Sequence, residues 1–322
     1  MQSCAIIFPL SEDRVEIDVQ LKLADDQAHR VELHSFVNVI NIISGELQLI
    51  ERLLGTHGLF PESLRASQLL VDSFSKPVLA RRRAREIGRY RQTVIDELNR
   101  ATKRAGFQDP TLAGELDRIV ALLHNVLRIA DIRVQELLAR HRAPDRWERV
   151  PTEQIRDALV DMLEVIAERA RNRFIIVYGG RNETIDSENQ YRVEIAVEGD
   201  SDGTLPIPPI LVDSLRDLVA NSRKYTPIGG QISVRLCHDG AEILLCVSDT
   251  GRGIPADQIA SVVEYGIRGR NTSPAETQGG GFGLTKAYLV CKQFGGRMWI
   301  DSELDCGTTI TVRIPIPADE EK

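Results

Sequence analysis

No stretch of this sequence approaches the roughly 18 consecutive apolar residues that a bilayer-spanning helix needs, and the N-terminus has neither the basic start nor the cleavage site of a signal peptide. No membrane span is expected, and the chain reads as cytosolic. Cys4, Cys237, Cys246, Cys291 and Cys306 nowhere adopt C-x-x-C spacing, which argues against a zinc site, and they do not form the dense framework of a small secreted domain. They are expected to be reduced and structural. Positive charge is in deficit, with Lys+Arg 40 against Asp+Glu 47 and a net charge of −7. That argues against nonspecific nucleic-acid binding; the basic run RRRAR at 81–85 reads as a solvated helix face before it reads as a local patch.

What is present suits two domains, since 322 residues exceed one compact core. Residues 1–24 contain IDVQLKL at 17–23, whose alternation reads as a short strand, but the segment has no assignable task. From Ala24 to Leu54 the apolar residues Leu33, Phe36, Ile40, Ile43, Leu47, Ile50 and Leu54 step by three and four, a heptad seam on one long helix. A second seam runs from about Leu112 to Arg140 through Leu116, Ile119, Leu123, Val126, Ala130 and Leu137, with Arg133 at a seam position. Two such seams predict an antiparallel hairpin in a helical domain over 25–145, interrupted by an insertion at about 57–110 in which Ala80 to Ala105 looks helical. A bare hairpin leaves half its seam uncovered. Either a second copy covers it, giving a homodimer, which is the favoured reading, or the inserted helices complete a four-helix bundle within one chain.

From Pro151 the pattern changes. An amphipathic helix is followed by the alternating runs FIIVYGG (174–180) and YRVEIAVEG (191–199), then hairpins over 232–249 and 298–316 that turn at Asp239-Gly240 and at Leu304 to Gly307. With helices at 209–223 and 283–294, residues 150–317 read as an α/β sandwich with helices on one face. The fold class is α+β, a helical bundle followed by this sandwich.

Three motifs lie in the second half in fixed order: DLVANSRKYTP (217–227), VSDTGRGIP (247–255) and GGGFGL (279–284). Together they resemble the N, G1 and G2 boxes of the ATP-binding family shared by sensor histidine kinases, gyrase, the mismatch-repair ATPases and the large heat-shock chaperone, and KYTP points to the histidine-kinase branch. The resemblance implies ATP and Mg²⁺. Asn221 would ligate the Mg²⁺ that bridges the phosphates, with Lys224 and Tyr225 reaching the phosphates as charge and donor. Asp217, one turn before Asn221, stands where the gyrase and chaperone branches place a water-activating glutamate. Asp249, at a strand end, would accept the adenine amino group, and Gly251 and Gly253 would let the chain turn under the base. VVEYGIRGR (262–270) resembles the kinase F box with Tyr265 for phenylalanine; Arg268 and Arg270 are candidate phosphate contacts, and NTSPAETQGG (271–280) reads as a lid. Gly279, Gly281, Gly283 and Leu284 open a helix whose N–H groups would face the phosphates. Thr309, in GTT at 307–309, either approaches the nucleotide or belongs to a strand-start turn.

The stretch HSFVNVINIISGELQLI (34–50) resembles the phosphoacceptor helix of the histidine kinases, with His34 as acceptor, Asn38 on the same face, and Ile43 and Gly45 at the family's offsets. His29, His124 and His141 are the other histidines of the helical domain considered for the role. Two positions depart from the pattern: Ser35 replaces an acidic residue that would ready the imidazole, and Val39 replaces a proline. The resemblance implies a two-component protein that autophosphorylates His34 from Mg-ATP and passes the phosphate to the aspartate of a response-regulator receiver domain, with input from a separate sensor protein or the N-terminal segment. Ser35 keeps a second reading open, a phosphotransfer, phosphatase or scaffold protein with a nucleotide-binding domain and no autokinase activity.

Overall fold

The computed structural model describes residues 14–74, 86–105, 110–170, 173–179, 188–267, 269–271 and 281–318. It divides into a helical unit, Leu23–Pro144, and a second unit made of the chain from Asp145 onward together with the segment ending at Lys22. The RRRAR run lies outside the described residues, as does the start of the helix expected from Ala80.

The helical unit contains α1 (Asp25–Leu53), α2 (Pro61–Phe74), α3 (Ile87–Ala105) and α4 (Pro110–Arg142). Asp25 and Asp26 in the first turn of α1 and Arg52 in its last complement the helix dipole. The seam residues Leu33, Phe36, Ile40, Ile43, Leu47 and Ile50 are all buried, as are Leu116, Ile119, Leu123, Val126, Ala130 and Leu137 of α4. Arg133 is buried as well, with Nη1 3.7 Å from Glu136 one turn on. Helix α2 has no forecast in the sequence. Its start is capped from outside: the Glu97 carboxylate of α3 accepts the N–H groups of Glu62 and Ser63 at 3.2 and 2.9 Å, and Glu51 of α1 accepts that of Leu59 at 2.8 Å.

Helix α1 packs against α4 and α2, α2 against α3, and α3 against α4, so four helices form a closed ring within one chain. Of the two ways to cover the hairpin seam, the inserted helices supply this one. With 14 residues α2 is about 21 Å long, whereas the 29 residues of α1 run about 43 Å. Since α2 follows the C-terminal end of α1, it reaches over that half alone, and His34 lies in the other half.

The second unit is built on a seven-stranded sheet ordered β1-β8-β9-β7-β6-β4-β3, where β1 is Val15–Ile17, β3 Ile175–Tyr178, β4 Gln190–Val197, β6 Gln231–His238, β7 Glu242–Asp249, β8 Arg297–Glu303 and β9 Gly307–Pro315. The pairs β3–β4 and β4–β6 are parallel, and the rest antiparallel. Both expected hairpins are present; at the first, Asp239 Oδ1 accepts the N–H groups of Ala241 and Glu242 at 2.9 and 2.8 Å. Helices α5 (Thr152–Arg169), α6 (Pro209–Tyr225) and α7 (Gly283–Gln293) join one hydrophobic core with alternate strand residues such as Val193, Val234, Leu245, Ile300 and Val312. A small sheet pairs β2 (Glu148–Pro151) with β5 (Thr204–Ile207).

The N-terminal strand forms earlier than its alternation predicts, at Val15–Ile17, and it has a definite place. It adds an edge to the sheet opposite β8, with Ile17 buried, and just beyond it the Tyr288 hydroxyl of α7 accepts from the Val19 N–H at 3.0 Å and donates to its carbonyl at 2.8 Å. Among the described residues no helix is long and apolar enough to cross a membrane. Cys237, Cys246 and Cys291 are buried and in no disulfide, Cys306 is exposed and likewise in none, and Cys4 lies outside the described residues.

Candidate functional site

The end of α6, the end of β7, the start of α7 and the start of β9 converge on a cleft of about 800 Å³ that opens to solvent. Pro209 at the first position of α6 sets the helix start, and Leu211, Leu215, Leu218 and Val219 bury toward the core. That orientation leaves Asn221 and Tyr225 on the cleft side. Of the residues expected from the sequence, Asn221, Tyr225, Asp249, Gly253, Gly281 and Leu284 line the wall. Lys224, Gly251 and Gly283 stand beside it: Lys224 Nζ lies 5.1 Å from the centre of the Tyr225 ring, and a Cβ on Gly283 would sit 2.9 Å from Asn221 Nδ2. Thr308, not Thr309, faces the cleft. Strand alternation decides this, because Thr308 pairs with Asp249 while Thr309 points to the other face, its hydroxyl 2.8 Å from that of Ser248. Arg270 donates its N–H to Gln258 at 3.0 Å and pairs its guanidinium with Asp257. Arg268 and Gly279 lie outside the described residues, as does all of the expected lid except Asn271.

Asp249 is the electrostatic centre of the cleft. Burial pushes its carboxyl pKa up, and hydrogen bonds from the Ser222 hydroxyl and the Gly251 and Thr308 N–H groups pull the other way without overcoming it. The Gly251 N–H bond to Oδ1 is 2.9 Å. Around this acceptor Ile254, Val262, Ile267, Leu284 and Ile310 supply apolar walls. A slot of this kind takes a flat, largely apolar ring that offers a hydrogen-bond donor at one edge. The glycine at 253 answers to a different neighbour from the one expected: its φ is +69, and a Cβ would lie 2.0 Å from the Glu303 carbonyl in the β8–β9 turn. The protein's own backbone, not a base, excludes a side chain there.

Ser222, Arg252 and Ile254 also line the cleft and were given no role from the sequence. Arg252 donates to the Asn271 carbonyl at 2.8 Å, and the Asn271 amide donates to the Gly253 carbonyl at 2.9 Å, tying that segment to the turn after β7. Tyr265 and Phe282 stack with centroids 4.8 Å apart. Parity along β9 was a usable signal for Thr308. The apolar wall had none, since separate stretches of chain contribute it.

In the helical unit His34 is half-buried, and Asn38 Nδ2 lies 3.2 Å from its Nε2. At that distance the amide donates to the imidazole of the Nδ1-protonated tautomer, leaving Nε2 as the lone-pair nitrogen. Ser35 is buried, one residue around the helix from His34. Of the other histidines, His29 is buried with Nδ1 4.0 Å from Glu32, and His124 bonds its own helix through Nδ1 to the Val120 carbonyl at 2.8 Å. The side chain of His141 lies outside the described residues.

Residues 208–318 match the domain family described as histidine kinase-, DNA gyrase B-, and HSP90-like ATPase. The chain is 34% identical over 121 residues to the adaptive-response sensory kinase SasA of Synechococcus elongatus, covering 37% of this chain and 31% of that protein. It is 33% identical over 124 residues to the histidine protein kinase DivJ of Caulobacter vibrioides, covering 35% of this chain and 20% of that one. The matched region thus spans a third or less of these relatives' length. Among solved structures, the mycobacterial sensor histidine kinase MprB aligns with 53% of this chain and 97% of its own, at 21% identity and a TM-score of 0.38.

Proposed function

We propose that the chain, whose residues 208–318 match the histidine kinase-, DNA gyrase B-, and HSP90-like ATPase family, is a two-component histidine kinase that binds Mg-ATP in the cleft, phosphorylates His34 and hands the phosphate to the receiver-domain aspartate of a response regulator. The observation that carries the nucleotide part is the half-buried carboxyl of Asp249, its pKa raised by desolvation, in a largely apolar slot that Asn221 and the start of α7 also line. Asp249 would accept from the adenine amino group, with Ser222 and Thr308 holding it in place. Asn221 offers a neutral oxygen suited to Mg²⁺. Among the described residues no three His, Cys, Asp or Glu side chains gather as a metal cage, so the ion would be held jointly by Asn221 and the phosphates. The backbone N–H groups at the start of α7, with Gly281 and Gly283 before them, would take the phosphates, and Lys224, Tyr225 and Arg270 are proposed to add charge and donors at the rim.

For the acceptor, the contact from Asn38 supports His34. In the transfer the Nε2 lone pair forms a bond to the γ-phosphorus while the bond from that phosphorus to the β,γ-bridging oxygen breaks, and ADP leaves with the electron pair. That chemistry needs Nε2 unprotonated, the tautomer a carboxylate at position 35 would have enforced; the Asn38 amide favours the same tautomer, but its N–H must swing off the Nε2 lone pair before the attack, and the Nδ1 proton passes to solvent as the ring becomes neutral. The half of α1 beyond the reach of α2, which carries His34, is the proposed docking region for the receiver domain and for pairing with a second copy in a homodimer; a separate sensor protein would supply input. Ser35 favours the second reading, in which the protein transfers or removes phosphate without autokinase activity. Incubation with Mg²⁺ and γ-labelled ATP separates the two. Acid-labile, alkali-stable label should appear on the native chain and vanish in His34→Ala and Asn221→Ala; nucleotide binding without label would leave the second reading standing.

A further inference from the structure

Lys286 is 2% exposed, on the second turn of α7, and its ammonium reaches two carboxylates of α6: Asp213 Oδ2 at 2.5 Å and Asp217 Oδ2 at 3.0 Å. Asp213 is 1% exposed, and Arg216 Nη1 approaches its other oxygen at 3.9 Å. Two cations and two anions therefore balance inside the contact between the helices. Lysine is almost never buried unless paired, and well-packed apolar residues commonly hold two helices together as well as a buried ion pair does. What an ion pair adds is direction and distance. Here those bear on the cleft: Asp217 lies one turn before Asn221, Lys286 lies three residues after Gly283, and a Cβ at Gly283 would meet Asn221 Nδ2 at 2.9 Å and Asp217 Cβ at 3.3 Å. On its other flank the first turn of α7 is tethered by the buried Thr285, whose hydroxyl donates to the Glu264 carbonyl at 3.2 Å.

We propose that Lys286 is a positioning residue for phosphate binding, its ammonium shared between Asp213 and Asp217 so that the N-terminal turn of α7 is set against Asn221. The proposal rests on the reading of the cleft as a nucleotide site. It also gives Asp217 a role other than that of a water-activating base, since its carboxylate is engaged by Lys286.

A positioning role predicts a loss confined to the phosphate end. In Lys286→Met, the Kd for Mg-ATP should rise about tenfold, while the Kd for adenosine, measured by competition against a fluorescent nucleotide analogue, stays within about twofold. Lys286→Met strands the buried Asp213 and the half-buried Asp217 beside one arginine, so Lys286→Met/Asp213→Asn, which keeps one cation and one anion, carries the same readout where the single variant loses its far-UV circular dichroism. ATP and adenosine affinities that shift together, or that do not shift, would overturn the proposal, as would unfolding of both variants, which would make Lys286 a stability residue only. Native protein that binds no ATP would instead sink the nucleotide reading on which the proposal stands.

Discussion

Asp249 imposes a cost on the fold in exchange for its place in the cleft. Its pKa is raised by burial, so the folded state holds this proton more tightly than the unfolded chain does. The stability associated with the protonated form is full below the ordinary Asp value of 3.8 and is lost as pH climbs through the higher folded value. At neutral pH the charged, desolvated group therefore weighs against folding. Asp249→Asn should melt at a higher temperature than the native protein at pH 7, with the gap narrowing as the pH is lowered. The same change should weaken nucleotide binding by about 2 kcal/mol, roughly thirtyfold, through loss of a charged acceptor. Scanning calorimetry and titration calorimetry read the two effects, and identical melting at pH 7 would contradict the account of burial. Asp249 itself was legible from its motif. Thr308 was hidden by its neighbour Thr309, since a repeated residue type conceals which face each one takes until the register with β7 is known.

Helix α2 shows how an element can exist without a local signal. Its sequence, PESLRASQLLVDSF, carries its first polar caps on other helices, with Glu97 of α3 and Glu51 of α1 accepting N–H groups at and just before its start. Ser67 and Tyr90 add a buried hydroxyl contact of 2.8 Å between α2 and α3. Glu97→Ala should therefore cost about 2 kcal/mol, at the upper end for a lost helix cap because the acceptor is charged and buried. Urea denaturation followed by helical circular dichroism would show a lower midpoint with an unchanged slope; an unshifted midpoint would mean that α2 is held by its apolar face alone. The long helices α1 and α4 needed no such help to be read, because their seams repeat over many turns.

The sheet-containing unit is discontinuous in the chain, since β1 comes from before the helical unit and pairs with β8 near its end. A fragment of residues 145–318 should fold less stably than the same fragment joined to residues 14–22, by about 2 kcal/mol for the burial of Ile17 alone. It should also self-associate in light scattering, because removing β1 bares the edge of β8. Equal melting temperatures and monodisperse fragments would show that β1 is incidental. By itself the sequence determined the heptad seams, the two hairpins, the order of the three nucleotide motifs and the offsets around His34, all of which are patterns within a few turns or strands. Only the tertiary structure decided that the inserted helices close the bundle within one chain, that the N-terminal segment is a sheet edge, that Gly253 yields to the Glu303 carbonyl, and that Lys286 sits between Asp213 and Asp217. Each of those depends on residues far apart along the chain, and periodicity and turn chemistry report only on neighbours.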